Sequence, residues 1–411
     1  MRTSLDAATL TGIARRLSEV DERRRARYPG DSGGRQPVHT CYVPADAITD
    51  DLPVQWGAAA LATLEEHAPG PLAFADVLGL SPALAEPVHE KVVAKLATEP
   101  VEDLRIDFED GYGVQPDTVE DEDAVRCAGL AGALDVPGVG IRFKSFEHFE
   151  RGIRTLDLFL THLATVPDGL VLTFPKVTAV EQVTALCELL ELLEDRLDLS
   201  RGRLRFEIQI ETTQSIVDST GAFAIPRFIA AARGRVSGLH FGTYDYTAAC
   251  GLSAGEQHLA HAACDFARNV MQVSAAGTGV RLSDGSTNVL PVGGRSAVHE
   301  AWREHFRLTL RSLKHGFYQG WDLHPAQLVT RYAANYAFYL GTAAADADRL
   351  RAYLDDTGKA AGVLDEPATV QALAMSMRRA VDCGALTRAD VTRLCGLSIV
   401  ELDALVRREA P

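Results

Sequence analysis

No Cys-x-x-Cys pair occurs in the 411 residues, although there are seven cysteines, at 41, 127, 187, 250, 264, 383 and 395. Their odd number and wide spacing argue against a disulfide framework and offer no zinc-site pattern. Reduced thiols in a cytoplasm are the better fit. No stretch approaches the roughly 18 consecutive apolar residues of a membrane span. The first thirty residues carry Arg15, Arg16 and Arg23 to Arg25 but no continuous apolar core. They read as an amphipathic helix and not as a secretory leader. There is no Gly-x-Gly-x-x-Gly turn, so a dinucleotide fold loses its usual signature. Low-complexity segments are also missing. Positive charge is in deficit: 41 Lys and Arg stand against 56 Asp and Glu, a formal charge of −15. An acidic field disfavours nucleic-acid and membrane-surface partners. It still admits a small anionic substrate in a locally basic pocket.

Hydrophobic residues make up 46% of the chain, enough for a sizeable core. The patterning alternates strand with helix. Strand candidates are 38–44, 104–110, 138–144, 170–176, 205–211, 238–246, 284–292 (a strand or its turn) and 316–325. Helices are expected at 5–27, 53–67, 87–98, 118–133, 147–164, 179–195, 215–233, 256–276, 297–315 and 326–340. Pro71, Pro82 and Pro87 read as breakers in an ambiguous stretch. Eight β-then-α units predict a (β/α)₈ TIM barrel over 37–340, and an open doubly wound sheet is the alternative. Residues 1–36 form an N-terminal helical extension. Residues 341–411 form a helical tail, a lid or an oligomer contact, with helices at 347–354, 369–383 and 387–407 and a helix start at Asp365-Glu-Pro367.

The centre of the pattern is the pair Arg205-Phe-Glu-Ile-Gln-Ile-Glu211 and Gly238-Leu-His-Phe-Gly-Thr-Tyr-Asp-Tyr246. Each reads as a buried strand ending in a carboxylate, Glu211 and Asp245. Parallel strands joined by a helix would bring both acids to one rim, where like charges recruit a cation or raise each other's pKa. A hard ion such as Mg²⁺ takes one or two carboxylates and several waters. The plainer alternative is that each acid caps the helix after it. Other strand ends add Asp107, Glu109, Asp110, Arg142, Lys144, Lys176, Asp284, Asp322 and His324. Lys144 and Asp322 read as ordinary salt-bridge or loop residues. Lys176 is either a functional group or an ion pair at the core's edge. Arg142 follows Gly140 on a buried strand, and a guanidinium there must face a partner such as a carboxylate.

Six segments together resemble the citrate lyase β-subunit-like (CitE-like) group of the HpcH/HpaI aldolase superfamily, with features of malate synthase. They are Asp107-Phe-Glu-Asp-Gly111, Gly140-Ile-Arg142, Phe174-Pro-Lys176, Ile210-Glu-Thr-Thr213, Gly238-Leu-His-Phe-Gly-Thr-Tyr-Asp245 and Gly320-Trp-Asp-Leu-His-Pro-Ala-Gln327. The resemblance implies a TIM barrel in trimers or hexamers, with Glu211 and Asp245 as ligands of Mg²⁺ (or Mn²⁺). It implies that Arg142 grips a substrate carboxylate or carbonyl oxygen, with Lys176 beside it and Gly242, Thr243 and Tyr244 lining the substrate. Asp107 and Glu109 would reach the metal through water, and Asp110 and His324 would support the site from behind. The implied activity is carbon–carbon lysis or aldol chemistry on a small 2-oxo or hydroxy carboxylate, free or as its coenzyme A thioester. A malate synthase-like condensing transferase is the runner-up, and a non-catalytic barrel for assembly or ligand sensing is the third reading. The chain departs from the group in three ways. Glu211 and Asp245 lie further apart, both termini are extended, and no basic cluster follows Tyr42-Val-Pro-Ala-Asp46, where coenzyme A users carry one. The general base is left among Asp284, His324 and an acid from another subunit.

Overall fold

Alternation along the strands decides which side chains enter the barrel. In the computed structural model, which describes residues 4, 6–355 and 366–407, Phe206, Ile208 and Ile210 are fully buried toward the helices. Glu207 and Gln209, between them, reach across the interior to residues on non-adjacent strands. The eight strands are β1 His39–Pro44, β2 Asp103–Asp107, β3 Gly138–Arg142, β4 Leu170–Phe174, β5 Arg205–Ile210, β6 Val236–Phe241, β7 Arg281–Ser283 and β8 Gly320–Asp322. All pairings are parallel, in the order β7-β6-β5-β4-β3-β2-β1-β8. A single parallel bridge, Ser283 to Gln319, joins the two ends, helped by the Asp284 N–H donating to Gln319 O at 2.8 Å. The result is a nearly closed (β/α)₈ barrel wrapped by helices.

Several expected elements move. Pro71 and Pro82 do not break helices but start them, Gly70–Leu78 and Pro82–Thr98, because a first-turn proline loses no intrahelical bond. Pro87 lies inside the second of these helices. The single helix expected at 215–233 is replaced by two short ones, Thr213–Ile216 and Ile225–Ala231. Between them Val217 and Phe223 form an antiparallel bridge, and the Asp218 carboxylate accepts the N–H groups of Thr220 and Ala222. That side-chain turn outcompetes the helix. The seventh strand is Arg281–Ser283 and not 284–292, whose Val289, Leu290 and Val292 are exposed. The eighth shrinks to Gly320–Asp322.

The helices expected at 326–340 and 347–354 are one continuous element, Pro325–Leu354. The tail continues as Pro367–Asp382, Arg388–Cys395 and Ile399–Val406, the last two separated by Gly396 at φ +75°. Asp365, in the expected helix start, lies outside the described residues. The tail packs on Pro325–Leu354 and reaches the chain leading into β1 and β8: Arg378 donates to Gly33 O and Tyr318 to Arg379 O. The N-terminal helix Ala7–Arg27 leaves Leu10, Ile13, Leu17 and Val20 exposed along one side. No helix among the described residues is long and apolar enough to cross a membrane.

Candidate active site

Arg142 ends β3, and Gly140, two residues earlier, makes way for the Arg105 guanidinium, since a Cβ there would stand 2.3 Å from Arg105 Nη1. The Nε and Nη2 of Arg142 grip the two oxygens of Asp107 at 2.7 and 2.6 Å, a bidentate pair buried on both sides. Its Cζ lies 5.0 Å from the Tyr42 ring centre and 6.0 Å from that of Trp321. Nη1 is turned toward Gln209 Oε1 at 3.3 Å and toward Glu109 at 3.8 Å. Asp107 is itself fixed by the N–H groups of Glu109 and Gly111. A Cβ on Gly111 would stand 2.5 Å from its carboxylate, so glycine is what lets the loop close on it.

Glu211, just past β5, is 1% exposed. One oxygen accepts the Lys176 N–H at 2.7 Å, and the other accepts the Gln209 side-chain amide. To present that N–H, Lys176 adopts φ +51°, a left-handed conformation uncommon for a residue with a side chain. Gly242 lies against Glu211, since a Cβ there would meet Glu211 Cβ at 2.5 Å and Oε2 at 2.6 Å. Asp245 does not end a strand. It sits in the first turn of the helix Thr243–Ala249, with its side chain nearly half exposed.

The two acids meet around Lys176. Its Nζ lies 3.1 Å from Glu109, 3.0 Å from Asp110 and 3.5 Å from Asp245. Five carboxyl groups thus crowd two cationic side chains. Burial, with Asp245 nearby, pushes Glu211 up to about 8. Burial likewise pushes Glu109 up to about 7, despite Arg142 and Lys176. Asp110 is held low by hydrogen bonds from its neighbours and by the same two cations, against its own burial. The acids around Lys176 raise its ammonium above the usual lysine value although burial opposes them. Among the described residues no three His, Cys, Asp or Glu side chains are grouped to cage a metal by themselves. The donor set fits Mg²⁺ all the same: a buried, under-compensated carboxylate and a half-exposed one leave most of the shell to water or substrate oxygens.

Other expected residues are placed elsewhere. Asp284 turns from the rim to Arg268 Nη1 and the Ser312 hydroxyl, so it is not free to act as a base. His324 caps the helix Pro325–Leu354, its Nδ1 accepting the Ala326 N–H at 3.2 Å, and burial lowers its pKa. Asp322 is wholly buried among His39, His305 and Arg331. Lys144 donates to the carbonyls of Phe108 and Gly113 and pins the loop that carries the rim acids. The Tyr244 hydroxyl accepts the Asn288 N–H at 2.6 Å, and Thr243 Oγ1 is buried without a partner. Sequence reasoning missed Gln209, which bridges Arg142 and Glu211, and the Tyr42–Trp321 stack, with ring centres 4.4 Å apart. The alternation that put Glu207 inside the barrel also puts Gln209 there.

A family model described as a domain of unknown function, DUF6986, matches residues 17–410. No curated protein matches the sequence. Among solved structures, a citrate lyase from Burkholderia xenovorans LB400 is similar at 18% identity and a TM-score of 0.57, over 87% of this chain and 96% of that one. A malate synthase from Haloferax volcanii aligns at 16% identity and 0.46, over 72% and 74%. A citrate lyase beta subunit from Mycobacterium tuberculosis, complexed with oxaloacetate and magnesium, aligns at 16% and 0.44, over 74% and 98%. At these identities the likeness speaks to the barrel alone.

Proposed function

The chain belongs to the DUF6986 family, and we propose that it is a Mg²⁺-dependent carbon–carbon lyase or aldolase acting on a small 2-oxo or hydroxy carboxylate, free or as its coenzyme A thioester. The observation that carries this reading is the convergence of Glu109, Asp110 and Asp245 on one cationic position, with Glu211 buried behind it and Arg142 alongside. Glu211 and Asp245 are the residues to hold the ion. When bound, it would stabilise the negative charge that develops on a substrate oxygen as the bond breaks.

The chain's own groups divide the remaining work. Asp107 occupies two donors of Arg142, which leaves Nη1 on the rim side facing Gln209 and Glu109, where its hydrogens can bind a substrate carboxylate. Tyr42 and Trp321 hold the guanidinium from moving. Glu109, near 7, can take or return a proton at neutral pH and replaces Asp284 and His324 as the candidate acid–base group. Lys176 balances the acids and needs no covalent bond to substrate. Cytoplasmic location and homo-oligomeric assembly belong to the same proposal.

The test is a screen of 2-oxo acids, hydroxy acids and their coenzyme A thioesters, with metal and after chelation. Cleavage should require Mg²⁺ or Mn²⁺ and vanish in Glu211→Gln and Asp245→Asn while circular dichroism is unchanged. Thiol release from acetyl-coenzyme A plus glyoxylate would replace lysis by condensation. No Mg²⁺ binding and no turnover would leave a non-catalytic barrel.

A further inference from the structure

The opposite end of the barrel holds a cavity of about 370 Å³, lined largely by polar and charged residues, where the strands begin. Its size follows from small residues: Gly138 opens β3 and Gly238 lies near the start of β6. The acids around it are already used. Asp103 binds Arg105 and the Thr40 hydroxyl, Glu102 binds Arg35 and Lys95, Glu207 binds Arg105 and His240, and the exposed Asp168 pairs with Arg203. Two cations are left over. Arg205 and Arg281 open β5 and β7, line this cavity, and have no carboxylate within ion-pair distance among the described residues. Their side-chain contacts are backbone carbonyls, Val236 O at 3.5 Å and Gly34 O at 2.7 Å. Burial and the nearby Arg205 charge lower the Arg281 pKa, although Asp31 opposes them. Arg105, 1% exposed and lining the same space, keeps a buried Nη1 with no partner. Three guanidinium groups therefore carry unspent donors or charge around one void.

We propose that this amino-terminal mouth binds a small oxyanion, a carboxylate or phosphate group, between Arg205 and Arg281. The site is separate from the rim, with the length of the barrel between them. Calorimetry on the full chain, with inorganic phosphate and with succinate against chloride at equal ionic strength, tests it. At least one probe should give a saturable heat, and the two arms tell which oxyanion is preferred. Arg205→Gln and Arg281→Gln should each weaken binding about tenfold, as loss of a charge-assisted contact does. Gly238→Val should weaken it with every charge in place, because a Cβ there meets Arg281 O at 3.5 Å and Glu207 Cβ at 3.6 Å, ordinary contact distances, so the added bulk is tolerated and takes up room at the cavity wall. Binding should persist in Asp245→Asn. No saturable heat with either probe, affinity unchanged in both arginine variants, or loss of binding in Asp245→Asn would each overturn the proposal. Turnover is not measured, so failure here does not touch the lyase reading.

Discussion

Glu211 carries the pH behaviour of the rim. Its folded pKa of about 8 lies above the ordinary carboxylate value, so the folded protein holds a proton that the unfolded chain has released. Stability must therefore fall as pH rises from the ordinary value of roughly 4.3 to about 8, and stay low above that. Thermal melts of chelated protein should show this slope, Glu211→Gln should flatten it, and added Mg²⁺ should offset it at the alkaline end. Arg142→Lys is a second residue-scale prediction. One ammonium cannot span both oxygens of Asp107, so a buried carboxylate loses its fork. We expect a stability loss of about 3 kcal/mol by denaturant titration. Turnover should drop by about two orders of magnitude in kcat/KM, the effect expected of losing one aligned oxyanion donor.

Between elements, close approach is enforced by single glycines, and two of them separate stability from function. Gly57, in the helix Leu52–His67, would place a Cβ 2.4 Å from Leu96 O of the helix Pro82–Thr98. Gly57→Ala should destabilise by about 1–3 kcal/mol and leave the proposed turnover of the remaining folded protein unchanged. Gly242→Ala instead pushes on Glu211. It should cut metal-dependent turnover more than tenfold, well beyond what a fall in melting temperature like that of Gly57→Ala accounts for. Reversal of that pattern would mean Gly242 serves packing only. Legibility at this scale follows the physics of the signals. Strong strand alternation at 205–211 and 104–110 placed Glu211 and Asp107 at the rim. Proline was misread where position mattered: Pro71 and Pro82 look like breakers until their first-turn placement is known. The short β7 was misplaced because Val289, Leu290 and Val292 suggest a strand yet are exposed, and because Arg281–Ser283 is too brief to show a period.

For the whole molecule, the barrel could be read from its repeat of units, but its interior could not. Instead of aliphatic layers, Arg105, Glu207, His240 and Trp321 run in a hydrogen-bonded series across it. These contacts join strands far apart in sequence, which no local pattern encodes. They also predict the acid limit. Glu207 is lowered to about 2 by Arg105 and His240 against its own burial, and Asp322 is held well below the usual range by Arg331 and its two histidines. The Glu207 stabilisation is complete above the ordinary carboxylate value near 4 and disappears as pH falls through about 2, and Asp322 acts in the same direction. Acid titration followed by near-ultraviolet dichroism should show one cooperative loss of tertiary structure in that window. Glu207→Gln should move its midpoint upward.

The joint between β7 and β8 has a consequence for motion. Every other neighbouring pair of strands shares at least three register positions, and this one shares a single bridge. If the ring breathes, it opens there first, and deuterium should enter the amides of Asp284 and the β8 segment before those of β2 to β5. Trp321 belongs to β8 and stacks on Tyr42 beneath Arg142. Widening that crack would loosen the floor on which the Arg142 guanidinium rests, so the barrel's least secured stave is also the one that steadies the arginine proposed to hold the substrate.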